Sequence, residues 1–130
     1  MYTPEEQVEH RKMWVGALRS GEYKQGRNNL CWKTGDTYEY CCLGVACEIS
    51  GLGEFVLSSG LTSGYLGFIM DEEQPQNATL PDAVQEWLGL HDSCGFYGGG
   101  KGSLIELNDA GVPFTSIANI IESEPEGLVA

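Results

Sequence analysis

Two adjacent cysteines, Cys41 and Cys42, stand where a β-favouring run gives way to helical spacing. A thiol at a helix amino terminus can be drawn toward the thiolate by the aligned backbone N–H groups, which is how a cysteine nucleophile is placed. His91, 49 residues after Cys42, is the available base. Against this, neighbouring cysteines in an apolar run usually fill core space, and no convincing group orients the histidine, so no catalytic residue is assigned. Cys31, Cys41, Cys42, Cys47, Cys94, His10 and His91 are numerous enough for a tetrahedral zinc site. Their spacing is wrong, because structural zinc ligands come in pairs about two to four residues apart. The acidic runs at 71–73 and 122–126 lack the alternating ligands of an EF-hand loop. GFYGGGKG at 95–102 lacks Walker spacing. No metal and no cofactor is expected.

The remaining cluster is Arg19, Tyr23, Lys24, Arg27, Asn28, Asn29 and Trp32. Guanidinium groups grip phosphate bidentately and aromatic faces stack on bases, so these types could hold a compact nucleotide-like anion. The competing reading is that the cations pair with acids of the remainder of the chain or of a neighbouring subunit. Net charge is -12, yet six of the seven Lys and Arg residues fall in residues 1–33, which sum to +2 against -14 for residues 34–130. Such a field repels long polyanions and anionic membranes, and it directs a small anion to the amino-terminal third. Residues 107–121, LNDAGVPFTSIANII, have a helix-turn-helix look, but residues 104–130 contain five acids and no Lys or Arg. A packed helical hairpin, and no DNA binding, is the expectation.

These residues need elements to position them. At 130 residues and 14.1 kDa the chain can fill one hydrophobic core, and its 18 glycines suit short elements and many turns. Thr3, Pro4 and Glu6 form a capping box that opens a helix over 4–19, with Val8, Arg11, Trp14, Val15 and Leu18 inward and Ser20-Gly21 as the stop. Residues 30–32 and 38–42 predict a hairpin around a turn containing Gly35. A short helix through Leu43, Ala46, Cys47 and Ser50 follows, ended by Gly51. Residues 54–57 and 65–70 read as two strands joined by a Ser/Gly-rich loop, with helix as the open alternative for runs so short. After a polar surface loop over 71–79, Pro81 starts a helix through Val84, Trp87 and Leu88 that Gly89 closes. Residues 95–102 read as a flexible loop. Ser103 caps a helix through Leu107 ended by Gly111, and a last helix covers 115–122 with Ile117, Ala118, Ile120 and Ile121 inward, before a frayed tail begins at Pro125 and Gly127.

The whole reads as one α+β domain over 1–130: an amino-terminal helix, a small antiparallel sheet between residues 30 and 70, and three helices after residue 80. The first residues carry Glu5, Glu6 and Glu9 and no apolar run, unlike a secretory signal, and the uncharged stretch 55–70 is too short and broken to span a bilayer. Five cysteines form no disulfide framework, so reduced and mostly buried thiols inside a cell are expected.

Four segments, ALRSGEYKQG (17–26), YCCLGVACEISG (40–51), LPDAVQEWLGL (80–90) and LNDAGVPFTSIANIIE (107–122), occur in an order that resembles a widespread group of small phage and prophage proteins. That group carries ALRSG-x-Y-x-Q, CCLGV and LND-x-G segments. The resemblance implies a viral or prophage origin, no export and a single α+β domain, and it supplies no catalytic residues. Residues 40–45 are also similar to the nucleophile segment of small papain-like peptidases. Together these readings point to a non-enzymatic phage-type binding protein in the host cytoplasm, which sequesters a small anionic, nucleotide-like ligand or engages a host protein. Arg19, Tyr23, Lys24, Arg27 and Trp32 are the expected ligand-binding residues. One small subunit offers little concave volume, so a homo-oligomer is expected. A virion component or assembly factor, and a papain-like cysteine hydrolase, are the alternatives.

Overall fold

The capping box closes as its residues predict: the Thr3 hydroxyl accepts from the Glu6 N–H at 3.1 Å, and the Glu6 carboxylate accepts from the Thr3 N–H at 2.9 Å. From it helix α1 runs Pro4–Arg19. The structure, a computed structural model, describes residues 2–57, 63–70 and 75–130. The acidic run at 71–73 and most of the Ser/Gly-rich loop, residues 58–62, lie outside the described residues. Trp14, Val15 and Leu18 of α1 are buried, whereas Val8, expected inward, is exposed on the flank. Arg11 is buried because its guanidinium has two partners: it donates to the Leu88 carbonyl at 2.6 Å and pairs with Glu124 at 3.2 Å.

A five-stranded sheet follows, in spatial order β1-β3-β2-β5-β4. Its strands are β1 (Lys24–Gln25), β2 (Cys31–Thr34), β3 (Thr37–Tyr40), β4 (Glu54–Val56) and β5 (Gly64–Ile69). The hairpin of β2 and β3 turns at Gly35, whose φ of 61° favours glycine. The sheet is mixed rather than wholly antiparallel: β1 pairs parallel with β3, Lys24 opposite Glu39 and Gln25 opposite Tyr40. A two-residue strand carries no periodicity, so this pairing had no signal in the sequence. Alternation sends Cys31, Leu66 and Phe68 into the core, while Trp32, Glu39 and Tyr65 share one outward row.

Helix α2 (Cys42–Ser50), ended by Gly51 in the left-handed region, lies beneath the sheet. A side chain at Gly44 would run into the Leu30 carbonyl, so glycine lets α2 approach the start of β2 at backbone distance. Helix α3 (Asp82–Leu88) ends at Gly89, also left-handed. Residues 95–102, expected to be a flexible loop, instead supply most of a hairpin of β6 (Phe96–Tyr97) and β7 (Gly102–Ser103). Helices α4 (Leu104–Asp109) and α5 (Phe114–Ser123) complete the chain, with Ile117, Ala118 and Ile121 buried and Ile120 only half-buried. The carboxy-terminal segment is docked, contrary to the frayed tail expected. Leu128 is fully buried, its carbonyl accepts from the His91 N–H at 2.9 Å, and the Glu126 carbonyl accepts from the Gly98 N–H at 2.6 Å. At the centre of the core Trp14 is wholly buried and its indole N–H donates to the Cys42 carbonyl at 2.8 Å. The result is a single α+β domain. Among the described residues no helix is long and apolar enough to cross a membrane.

Candidate functional site

Asn108, fully buried in α4, joins three distant parts of the chain. Its side-chain amide donates to the Gly26 carbonyl at 2.8 Å, and its Oδ1 accepts from the Cys42 N–H at 3.1 Å and from the Gln25 amide at 3.0 Å. A buried amide with both its oxygen and its nitrogen hydrogen-bonded fixes its surroundings firmly, because leaving any of these partners unpaired would cost about 1–3 kcal/mol. Around this hub the segment after β1 is pinned on all sides. The Gln25 amide also donates to the Val112 carbonyl at 2.8 Å, and the Gly26 N–H to Tyr40 at 2.8 Å. The Asn28 N–H donates to the Asp109 carboxylate at 2.8 Å, which supports the left-handed φ of 71° at Asn28. The Arg27 carbonyl accepts from the Trp32 indole N–H at 2.7 Å.

This pinned segment places Arg27 at an open groove of about 400 Å³, lined by Gln25, Gly26, Arg27, Asn28, Trp32, Thr34 and Glu39. Gly111, in the turn between α4 and α5, makes room for the arginine: a Cβ there would lie 2.8 Å from its guanidinium. Arg27 is exposed and makes no ion pair with any described residue. Trp32 is half-buried and meets Tyr65 edge-on, centroids 6.0 Å apart.

The five residues expected to bind ligand do not form one cluster. Arg27 and Trp32 share this groove. Lys24 stands at its edge, paired with Glu39 at 3.2 Å. Tyr23 packs edge-on against Tyr40 at 5.3 Å, and burial, with Glu48 and Glu22 adding, pushes its phenol above the ordinary value. Arg19 belongs elsewhere, in a groove between α1 and α5 of about 300 Å³. Its guanidinium grips Glu122 through two bonds, at 2.9 and 3.1 Å, and donates to Asn119 at 2.7 Å. The pairing holds the Glu122 carboxyl below its usual range, with the Arg19 hydrogen bond as the main cause. Arg11, Arg19 and Lys24 therefore answer to acids of the same chain, as the competing reading held, while Arg27 does not. Gln25, Thr34 and Glu39 were missed. The two-residue turn fixes Glu39 directly opposite Trp32, and alternation puts Thr34 on the same face as Trp32, so the hairpin pattern contained a signal for both.

Cys41 caps α2, its sulfur accepting from the Gly44 N–H at 3.3 Å, but burial outweighs these donors and pushes the thiol up to about 12. Cys42 is fully buried, its sulfur 3.6 Å from the Leu104 carbonyl, and burial likewise raises it. His91 is exposed on the surface. Among the described residues no three His, Cys, Asp or Glu side chains gather as a metal ion would require. A family model described as a domain of unknown function, DUF8296, matches residues 6–125, and the chain belongs to that family. No curated protein and no solved structure matches it.

Proposed function

We propose that this member of the DUF8296 family is a non-enzymatic binding protein whose ligand is a compact, nucleotide-like anion seated between Arg27 and Trp32. The observation that carries the reading is an arginine without an acidic partner among the described residues, standing on a hydrogen-bonded loop in a groove that also offers an indole. Its guanidinium suits phosphate, and the aromatic ring suits a base. Because the loop is already ordered, binding would freeze little beyond the arginine side chain itself. Buried, protonated thiols at 41 and 42 favour binding over cysteine hydrolysis. Resemblance to phage and prophage proteins supports work in the host cytoplasm, and the openness of the groove suits closure by a second copy of the chain.

Calorimetry against nucleoside mono- and diphosphates and cyclic nucleotides tests this. At least one is expected to bind, and Arg27→Ala is expected to weaken it roughly ten- to a hundredfold with the fold unchanged by circular dichroism. Arg19→Ala, in the other groove, is expected to leave binding intact. A silent panel, or an Arg27→Ala variant that binds as well as the parent, would favour a host-protein or virion role instead.

A further inference from the structure

A groove built for an anion has no evident use for a carboxylate, yet Glu39 lines it. The position is not incidental. Glu39 lies on β3 between β1 and β2, directly opposite Lys24 on one side and Trp32 on the other. Its neighbour across the floor is Gly26, where a Cβ would come within 2.9 Å of the Glu39 Cβ, so the glycine clears space for the glutamate stem. The Lys24 ammonium lies 3.2 Å from Oε2, partly compensating the charge and fixing that oxygen. Beside a phosphate such a carboxylate is repulsive unless it accepts hydrogen bonds from the ligand.

Resting on the nucleotide reading above, we infer that Glu39 reads the base and that the ligand is a guanine nucleotide. Guanine alone among the common bases presents two parallel N–H donors on its pairing edge, N1–H and the N2 amine, which match the two oxygens of a carboxylate. Adenine and cytosine set a ring-nitrogen acceptor beside their one amine, and uracil flanks its single N–H with two carbonyls, so each would point a lone pair at Glu39. With the base against Trp32, its pairing edge on Glu39 and its phosphate on Arg27, the three side chains divide the ligand between them.

Calorimetry with GMP, IMP, AMP, CMP and UMP tests the assignment. The parent protein is expected to prefer GMP by at least about tenfold over each of the others, including IMP, which lacks only the N2 amine. Glu39→Gln leaves one acceptor where guanine offers two donors, and it is expected to weaken GMP at least about tenfold while AMP, CMP and UMP change little, a selective loss that general disruption of the structure cannot produce. If nucleotides bind and Arg27→Ala weakens all of them, but the bases are not distinguished or the preference survives Glu39→Gln, the guanine assignment falls while the phosphate site stands. If no nucleotide binds, both fall.

Discussion

At the scale of single residues the cysteines show two effects in competition. The amino terminus of α2 lowers the affinity of Cys41 for its proton through the Gly44 and Leu43 N–H groups, and burial raises it by more. Cys31 is likewise pushed up to about 12, by burial first and then by Glu48, and Cys47 is raised by burial first and then by Cys41 and Glu48. In an unfolded chain these thiols would release protons near 9.0, the ordinary value. The native state thus holds more protons than the unfolded one between those values. The stabilisation is complete below pH 9, and each such thiol takes away about 1.4 kcal/mol per pH unit as pH rises toward 12. Tyr40, raised by burial, adds to the same trend at higher pH. We predict that the urea midpoint falls steeply above about pH 9, and that Cys94, the half-buried thiol, is alkylated well before the other four in native protein. A midpoint unchanged well past pH 10, or rapid labelling of Cys41 or Cys42, would revive the nucleophile reading.

At the scale of elements, what could be read in the sequence was whatever carried a chemical mark at its end. Thr3 and Glu6 announce α1, Gly51 and Gly89 close α2 and α3 with left-handed turns, and Gly35 marks the hairpin. Strand β1 and the carboxy-terminal segment lacked such marks, because each is ordered by distant partners, Tyr40 for Gly26 and His91 for Leu128. The β6–β7 turn carries left-handed Gly98, Gly99 and Gly100 but is flanked by strands of only two residues, too short to show a pattern. The candidate site divides the same way. Arg27 and Trp32 were legible by type, but the capture of Arg19 depends on α5 packing against α1, which no local pattern reports. Leu128 tests the docked tail. Leu128→Ala should lower the free energy of unfolding by about 2–5 kcal/mol in urea titration, as for other fully buried leucines. An unshifted midpoint would return the segment to the frayed tail its composition suggested.

At the scale of the whole molecule, the -12 charge sets the length of ligand the groove can accept. Arg11, Arg19 and Lys24 are tied to Glu124, Glu122 and Glu39, so they add little outward positive field. Arg27 is then the unpaired cation among the residues that line this groove, in a chain whose net charge is -12. One phosphate can approach it closely, but each further phosphate of a strand must lie over surface that repels it. Ordinary nucleic-acid binders behave in the opposite sense: more phosphates release more counterions, so affinity climbs with length and falls steeply with salt. For this protein we predict that affinity declines from a mononucleotide through a short oligomer to a strand of about 20 nucleotides, with the shortest ligand showing only a shallow salt dependence. Low ionic strength is the most lenient condition for the longer ligands, and filter binding there, beside calorimetry of the mononucleotide, measures both ends of the series. Tighter binding of the long strand, lost sharply as salt rises, would mean that a cationic surface exists which the ion pairs of this fold do not reveal.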